Sequence, residues 1–300
     1  MQILGTGRAV PQNILTNDML AKMVDTSDEW IVTRTGIHSR HIATTESIES
    51  LAVVAAQNAL AAAQLTPHDI DIVICATVTN EQATPSLACL LQRDLGLRED
   101  ILAFDLSAAC SGFVFSLITA QGLLQPGQRA LVLGAELLSK VTDFTERSTC
   151  VLFGDGAGAV LVAPSSKPFY WTTGVRGDAE TLTVAPLIHM NGPAVFKFAV
   201  EVLAASMHNV ITQAGVEVDQ IDHFVCHQAN ERILASAAKR LGVPLEKFVM
   251  NLATHGNTSA ASIPLVLDEA VRDGIILPGQ RIVIAGFGGG LTYGAIYLEQ

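Results

Sequence analysis

The stretch Asp105-Leu-Ser-Ala-Ala-Cys110-Ser-Gly-Phe-Val-Phe115 decides the fold class, because it predicts a strand that turns into a helix with a cysteine at the turn. It follows an apolar run at 101–104, which is typical of a buried strand, and it leads into an apolar helix at 113–124. Unpaired backbone N–H groups at a helix start favour thiolate, the reactive form of cysteine. Cys110 is therefore a candidate nucleophile. The alternative is a buried cysteine that packs as a small apolar residue.

Composition predicts a large core built from α/β layers. The chain has 300 residues, of which 49% are hydrophobic, 16% are charged and only 5% are aromatic. That length fits one large domain or two fused halves. Scarce aromatic residues leave small and aliphatic side chains to fill the core, which suits tightly packed α/β layers.

Charge and cysteine usage argue against several other classes. The net charge of −11 disfavours a general nucleic-acid binder. The five cysteines show neither CxxC spacing nor a His/Cys cluster, so we expect no zinc site, no other metal and no disulfide framework. No apolar run approaches the roughly 20 residues of a membrane span, and the N-terminus lacks the pattern of a signal peptide. We therefore expect a cytoplasmic protein that does not enter a membrane.

The second half of the chain repeats the first. Two Pro-Gly-Gln-Arg runs begin at 126 and 278, an offset of 152 residues. The segment 70–75 likewise matches 221–226, and the segment 107–110 matches 259–262 in the same letters, Ser-Ala-Ala. We predict two duplicated α/β halves, residues 1–165 with Cys110 and residues 166–300 with the polar loops at its strand ends. Strands that alternate with helices predict mostly parallel sheets covered by helices.

Local patterns assign the remaining elements of the first half. The apolar periodicity predicts strands at 3–7, 71–76, 129–134 and 154–162, and helices at 17–24, 49–64 and 86–95.

Polar residues gather where predicted strands end. His227 ends the strand 221–226, Asn257 lies in the loop 254–262, and the run Phe287-Gly-Gly-Gly290 follows the strand 281–285. Ligands of open α/β sheets lie beyond the carboxyl ends of strands, so two fused copies bring these loops to one pocket. A cysteine can hold an acyl group as a thioester, and a neutral histidine and an asparagine amide can donate hydrogen bonds to an enolate oxygen. Taken singly, each fits a structural role: a core histidine, a turn-forming asparagine, a tight glycine loop.

A second candidate site lies in the stretch 24–37. Trp30 and Arg34 are four residues apart, so they share one face of a helix. An indole and a guanidinium on one face can hold a flat ring such as adenine between them. The alternative is an aromatic–cation pair that packs on the surface.

Together these motifs resemble the β-ketoacyl-[acyl-carrier-protein] synthase III family of thiolase-fold condensing enzymes, which start type II fatty acid synthesis. The likeness runs over nearly the whole chain. It rests on Asp25-Thr-Ser-Asp-Glu-Trp-Ile-Val-Thr-Arg-Thr-Gly-Ile37, Ala-Ala-Cys110-Ser-Gly, Phe153-Gly-Asp-Gly-Ala-Gly158, His227-Gln-Ala-Asn230, His255-Gly-Asn-Thr-Ser-Ala-Ala-Ser262 and Phe287-Gly-Gly-Gly290. The resemblance implies a thiolase-like fold with αβαβα layers.

The resemblance also implies an activity and its residues. Cys110, His227 and Asn257 would form a triad in which Cys110 takes an acyl group from acyl-coenzyme A. The other two would stabilise the enolate formed when malonyl-acyl carrier protein loses carbon dioxide. Gly289 and the Cys110 N–H match the family's oxyanion hole, and Phe287 matches a residue beside the pocket. The positions that match coenzyme A contacts are Thr26, Trp30, Arg34 and Arg147. The family implies a homodimer and no cofactor beyond the coenzyme A thioester that is a substrate.

An acidic carrier protein needs a basic spot on this acidic chain. Residues 228–241 predict a helix with Arg232, Lys239 and Arg240 on roughly one side, and Lys197 is a further candidate. The family implies that the segment matching Gln228, Ala229, Asn230, Glu231 and Arg232 contacts the carrier. A solvated helix face is the alternative.

The stretch 174–195 looks shorter than in typical members of the family, where it helps to shape the pocket. Two other functions therefore stay open at this point. One is an acyltransferase or condensing enzyme of secondary metabolism with the same fold, making an ester, an amide or a quinolone- or polyketide-type product. The other is a non-catalytic protein that binds carrier protein or acyl-coenzyme A.

Overall fold

The computed structural model describes residues 1–300 and contains thirteen strands and ten α-helices. The strands are β1 (Gln2–Ala9), β2 (Ile14–Thr16), β3 (Ser39–His41), β4 (Ile72–Ala76), β5 (Leu102–Leu106), β6 (Ala130–Leu137), β7 (Asp155–Ala163), β8 (Phe169–Val175), β9 (Leu182–Val184), β10 (Ile188–Met190), β11 (His223–Cys226), β12 (Arg281–Gly288) and β13 (Thr292–Glu299). The helices are α1 (Asn17–Leu20), α2 (Asp28–Thr35), α3 (Ile48–Ala63), α4 (Leu87–Leu95), α5 (Gly112–Leu123), α6 (Arg147–Cys150), α7 (Gly192–Ala214), α8 (Glu231–Leu241), α9 (Leu252–His255) and α10 (Ser262–Arg272).

Two sheets of matching topology form the frame. The first has the order β1-β7-β6-β4-β5, with β4 parallel to β5 and β6, and β7 antiparallel to β6 and β1. The second has the order β11-β12-β13-β8, with β11 parallel to β12, and β13 antiparallel to β12 and β8. A single parallel bridge, Phe224 to Phe248, stands where the second sheet would have its counterpart of β5. The strand order of the first half is therefore repeated in the second.

The sheets and helices stack in five layers, as predicted. Alternate residues of each strand face opposite sides: Ile72 and Ile74 of β4 pack on α5 and α10 in the centre, whereas Val73 and Cys75 pack on α3 and α4 outside. The second sheet is covered on its outer face by α7 and α8. The central helices thus lie between two apolar sheet faces, and burial of a large apolar side chain there contributes about 1.5–3 kcal/mol.

The 23-residue helix α7 was not predicted from the sequence. By length and composition alone it could cross a membrane, but half of its most apolar window is buried inside the protein. Its apolar residues pack on β12 and β13 as part of the outer layer. The apolar residues of α7 are therefore part of the protein core.

Two sequence predictions need correction. The predicted helix at 17–24 ends at Leu20, and beyond it Lys22 and Met23 donate to carbonyls three residues back, at 3.2 and 2.9 Å, so the chain turns before a second helical turn is complete. The predicted match of 107–110 with 259–262 is wrong by two residues. The structure instead pairs two short 3₁₀ turns, Ala109–Ser111 and Ser259–Ala261, at an offset of 150 residues.

These two turns share an unusual backbone. Each begins with a non-glycine residue in the left-handed region, Ala109 at φ 46° and Ser259 at φ 49°. Each leads directly into a central helix, α5 or α10, and the two turns pack against each other. A left-handed non-glycine residue costs about 1–3 kcal/mol and persists only where its surroundings hold it.

Gly134 of β6 allows the second turn to lie on the first sheet. A Cβ atom at this position would meet the backbone of Ala260 and lie 2.9 Å from the Ala261 nitrogen. We predict that Gly134→Ala lowers the free energy of unfolding by about 1–3 kcal/mol through overpacking. The exposed Gly122 of α5 is the matched control, because a Cβ atom added there would have no neighbouring atom within 4 Å. Gly122→Ala should raise stability by about 0.5–1 kcal/mol, because alanine favours helix.

Urea unfolding followed by circular dichroism measures both variants. Equal stability of Gly134→Ala and the unaltered protein would show that the turn does not depend on this close approach.

Candidate active site

A cavity of about 620 Å³ opens between the two halves and is lined by Cys110, His227 and Asn257. These three residues are at most 7% exposed, so they form its buried end. Trp30, Arg34 and Arg232 also line the cavity, and both arginines are exposed, so they mark its open end. The structure therefore brings the three predicted reactive side chains into one pocket.

The strained turn places Cys110 at the start of α5, with β12 directly behind it. A Cβ atom on Gly288 would lie 2.6 Å from the Cys110 nitrogen, so only glycine allows this strand to pass so closely. Burial raises the pKa of the Cys110 thiol to about 12, against smaller lowering effects from the Ser259 hydroxyl and the backbone. The thiol therefore rests protonated, because burial outweighs the effect of the helix N-terminus.

His227 is held as a neutral imidazole. Its Nδ1 lies 2.7 Å from the Ser262 Oγ, which also accepts a hydrogen bond from the Gln228 N–H (3.3 Å). Nδ1 is the only acceptor within hydrogen-bond distance of the Ser262 hydroxyl, so we assign the serine proton to that bond and the imidazole hydrogen to Nε2. Burial lowers the pKa of His227 to about 3. The ring packs edge-on against Phe287, with centroids 5.3 Å apart.

The amide of Asn257 has a fixed orientation. Its Oδ1 accepts a hydrogen bond from the Ser259 N–H (2.8 Å), so its Nδ2 group is the part left for the cavity. Its backbone is bonded on both sides, with its N–H donating to the Leu152 carbonyl (2.8 Å) and its carbonyl accepting from the Gly154 N–H (3.0 Å). Two N–H donors, one from His227 and one from Asn257, thus line the same buried end of the cavity as the Cys110 thiol.

The glycine run at the end of β12 lines two cavities. Phe287 and Gly288 line the cavity that holds Cys110. Gly289 lines a second cavity of about 820 Å³, where a Cβ would lie 3.6 Å from that of Ala109. Gly289 therefore lies beside the Cys110 turn, on the side that faces the second cavity.

At the open end, Trp30 already has two cationic neighbours. The guanidinium carbons of Arg34 and Arg147 lie 4.4 and 4.8 Å from its ring centre. Arg147 also donates to the Asp25 carbonyl (2.9 Å), and the nearby Thr26 hydroxyl is buried without a partner. The guanidinium groups of Arg34 and Arg147 therefore occupy the space over the Trp30 ring, and a flat ligand ring that stacks on the indole would have to displace one of them.

Most of the predicted carrier-contact residues are exposed. Arg232 lies over the Phe196 ring at 5.5 Å, and Lys197, Glu231, Lys239 and Arg240 are exposed. Asn230 begins α8, where its Oδ1 accepts from the Arg232 N–H (2.9 Å) and its amide donates to the Arg34 carbonyl (2.9 Å); it and Ala229 line the cavity.

Gln228 is the one member of the predicted carrier segment that is fully buried in this structure, so its contact with a carrier stays a prediction that the structure does not support. This side chain is 0% exposed, and its amide bonds to the Cys226 carbonyl (2.8 Å), the Val249 carbonyl (3.2 Å) and the Asn251 N–H (3.2 Å). Gln228 instead braces the loop that follows β11.

Three residues near the site were not predicted from the sequence: Ser262, which orients His227, Ser259, which orients Asn257, and the buried Glu136 of β6. An acidic residue inside the otherwise apolar run of β6 was the one sequence signal for Glu136. No group of three or more His, Cys, Asp or Glu side chains in the chain is arranged to hold a metal ion.

Two family descriptions match this chain. The family described as 3-oxoacyl-[acyl-carrier-protein (ACP)] synthase III matches residues 104–176, and its C-terminal counterpart matches residues 211–300. These spans contain Cys110, His227 and Asn257.

Similar proteins are known along the full length. A β-ketoacyl-[acyl-carrier-protein] synthase III from Neisseria gonorrhoeae is 46% identical, with 99% of this chain and 98% of that protein covered. One from Clostridium acetobutylicum is 43% identical, with 100% and 98% covered. The crystal structure of 3-oxoacyl-[acyl-carrier-protein] synthase III from Aquifex aeolicus superimposes with a TM-score of 0.97 at 44% identity, covering 100% of this chain and 99% of that one.

We predict that the His227 imidazole does not titrate between pH 5 and pH 8. Its pKa is lowered to about 3, so the neutral form with hydrogen on Nε2 persists throughout this range. Nitrogen-15 NMR of labelled histidine measures both the charge and the tautomer. In Ser262→Ala the anchor of Nδ1 is lost, so the second tautomer should become populated. A titration of His227 near pH 6 in the unaltered protein would contradict the assignment.

Proposed function

The chain belongs to the β-ketoacyl-[acyl-carrier-protein] synthase III family, and from this premise we propose how its side chains perform the reaction. The protein is a condensing acyltransferase that starts fatty acid synthesis. The observation that carries the proposal is the meeting of the Cys110 thiol, the His227 Nε2–H and the Asn257 amide at one buried end of a cavity.

Acylation comes first. We propose that the Cys110 sulfur attacks the carbonyl carbon of an acyl-coenzyme A, and that coenzyme A leaves as its thiol. The developing oxyanion lies near the Cys110 N–H and the glycine run 288–290. Backbone donors that are fixed in advance stabilise such charge without reorganisation.

Condensation follows at the same sulfur. Malonyl-acyl carrier protein loses carbon dioxide, and the negative charge moves to the thioester oxygen as an enolate. His227 and Asn257 donate their two hydrogen bonds to that oxygen. Because His227 is neutral, it stabilises the enolate by donating a hydrogen bond without passing on a proton. The enolate carbon then attacks the acyl-cysteine, which gives the 3-oxoacyl product and releases Cys110 as a thiolate that takes up a proton from solvent.

We propose that Trp30, Arg34, Arg147 and Thr26 hold the nucleotide end of coenzyme A. The guanidinium groups on the indole ring supply both a stacking surface and positive charge. The unpartnered Thr26 hydroxyl supplies a donor that gains a partner on binding. No cofactor beyond the thioester substrate takes part in this scheme.

We propose that the carrier approaches α8 at Arg232, with Lys197 and Lys239 as flanking cations. All three side chains are exposed, and Arg232 lines the cavity at its open end, where an acidic protein would be attracted. A homodimer is part of the proposal, supported by β5. This strand is at the edge of the first sheet, and its residue Leu102 is 46% exposed.

The division into an N-terminal half, 1–165, and a C-terminal half, 166–300, is proposed with its boundary in the β7–β8 connection. The cytoplasmic location expected from the sequence stays a prediction.

Intact-protein mass after mixing with a series of acyl-coenzyme A thioesters tests the function. We expect one acyl adduct, absent in Cys110→Ala, that disappears when malonyl-acyl carrier protein is added and yields the 3-oxoacyl product. The chain length of the best adduct identifies the starter. An adduct that malonyl-carrier does not clear would indicate acyl transfer without condensation, and no adduct at all would remove the proposal.

We predict that Arg232→Glu weakens use of malonyl-carrier at least about tenfold, since reversing a charge at a contact adds repulsion to the loss of attraction. Self-acylation by acyl-coenzyme A should change far less. Arg93→Glu, on the exposed face of α4, is the matched charge reversal and should leave both half-reactions unchanged. Equal losses in both half-reactions of Arg232→Glu would contradict a carrier contact.

A further inference from the structure

Two hydroxyl groups meet beside the nucleophile turn, residues 108–111. Ser111, the residue after Cys110, is 0% exposed, and its Oγ lies 2.6 Å from the Oγ1 of Thr292. Thr292 is the first residue of β13, three residues beyond Gly289. Its Oγ1 also lies within hydrogen-bond distance of the Gly289 carbonyl (3.1 Å) and the Ala108 carbonyl (3.4 Å). Both side-chain hydrogen bonds that join the nucleophile turn to the β12–β13 hairpin therefore involve the Thr292 hydroxyl.

The number of protons limits how these hydroxyls can be bonded. Each hydroxyl has a single proton to donate. If the Ser111 proton goes to Thr292, the Thr292 proton is available to the Gly289 carbonyl. If the Thr292 proton goes to Ser111, the Ser111 proton is available to the Ala108 carbonyl, 2.8 Å away. The bond between the two hydroxyls is made in both arrangements, so it joins the turn to the hairpin whichever carbonyl receives the remaining proton.

The second copy of the fold shows that such a turn can pack without a hydroxyl bridge. Its turn, 259–261, has nearly the same left-handed start and packs on the first sheet, as the nucleophile turn packs on the second. Ala261 stands where the nucleophile turn has Ser111. Asp155 begins β7 as Thr292 begins β13, but its carboxylate accepts hydrogen bonds from other loops. The bridge is therefore found only at the turn that carries the nucleophile.

We propose that Thr292 is a positioning residue for acyl transfer, which holds the nucleophile turn and the glycine run 288–290 at the separation that the oxyanion needs. The inference rests on the proposed acylation, in which the oxyanion lies near the Cys110 N–H and that glycine run. The turn and the run come from opposite halves of the chain, so their separation depends on contacts between the halves. Misplacement by about 1 Å can cost about a hundredfold in rate, because a displaced donor is weakened steeply.

The location of Thr292 keeps it away from the reacting atoms. It lines the second cavity, whereas the Cys110 thiol lies in the first. Gly288 pairs with Thr292 across the hairpin and passes so close to the turn that a Cβ atom on it would lie 2.6 Å from the Cys110 nitrogen. A change at Thr292 is therefore transmitted to the oxyanion donors through the backbone at Gly288 and Gly289.

The test removes the Thr292 hydroxyl and keeps the shape of the side chain. In Thr292→Val we expect the single-turnover rate of Cys110 acylation to fall about tenfold, less than the roughly 10²–10³-fold that follows loss of an oxyanion donor. The acyl-coenzyme A concentration that gives half the maximal rate should not change, because the ground-state complex makes the same contacts. Thr292→Ser keeps the hydroxyl and should restore acylation to within about threefold of normal.

Ser111→Ala tests whether the two hydroxyls act as a pair. Alone it should slow acylation about threefold, less than Thr292→Val, since the Thr292 hydroxyl still reaches the Gly289 and Ala108 carbonyls. In a Thr292→Val background it should add nothing, because two groups that act through one bond are not additive. Losses that multiply in the double variant would show that the hydroxyls act separately, and would overturn the bridge.

Two further probes separate positioning from damage to the fold. Iodoacetamide alkylates Cys110 by displacement at a saturated carbon, where no oxyanion forms, so its rate in Thr292→Val should stay within about twofold of normal. With 4-nitrophenyl acetate an oxyanion does form. The acetyl group transfers to the Cys110 sulfur, 4-nitrophenolate leaves, and the thiol proton passes to solvent. This transfer should slow about tenfold, as acylation by the thioester does.

Controls fix the baseline of each probe. Cys110→Ala gives the reaction with other side chains, which is subtracted from every rate. Ser206→Ala removes a buried hydroxyl of α7 that donates to the Val202 carbonyl (2.7 Å), and it should leave both acylation and alkylation at Cys110 unchanged.

Equal acylation rates in Thr292→Val and the unaltered protein would overturn the positioning role and leave the proposed function intact. A parallel loss of alkylation would overturn it too, because the thiol itself would then be displaced. If no thioester acylates the unaltered protein but 4-nitrophenyl acetate shows the expected difference, the positioning role stands and the proposed function fails. If neither reagent acylates Cys110, both are wrong.

Discussion

The structure depends on two strained turns that are packed against each other between two sheets. Ala109 and Ser259 both adopt left-handed backbones, and each turn leads into one of the two central helices. Neither conformation is favourable alone, so each is held by the tight packing around it, including the close approach at Gly134. This pairing sets the position of Cys110 from one half and of Asn257 and Ser262 from the other. Duplication therefore supplies the fold and, through one shared contact, the site.

The two turns differ in sequence, and this difference explains their different roles in the site. The structural counterpart of Cys110 is Ala260, so the second turn carries no nucleophile. Its flanking residues orient other groups instead: Ser259 fixes the amide of Asn257, and Ser262 fixes the tautomer of His227. One turn thus presents the reacting atom, and its copy sets the hydrogen-bond donors around it.

Much of this was predictable from the sequence, for a physical reason. Strand periodicity and the rule that ligands lie at strand ends correctly brought Cys110, His227 and Asn257 together. The Ser-Ala-Ala match was two residues out of register, because the identical residues of the two halves do not occupy equivalent backbone positions. Helix α7 was missed although its buried residues, such as Phe198, Val202 and Met207, recur at helical spacing. The burial of Glu136 was not predicted, because burial of a single polar residue is a property of the fold and does not show as a periodic pattern in the sequence.

Burial also decides the charge state of the site. The Cys110 thiol rests protonated and the His227 imidazole rests neutral, since desolvation opposes the charged form of each by more than nearby dipoles favour it. A site of neutral groups can admit an apolar acyl chain without burying an unpaired charge. Charge then appears only on reacting atoms, first on sulfur and later on the enolate oxygen, where hydrogen-bond donors are already in place. The low dielectric that makes the resting thiol unreactive is thus the same property that makes those donors effective once substrate has entered.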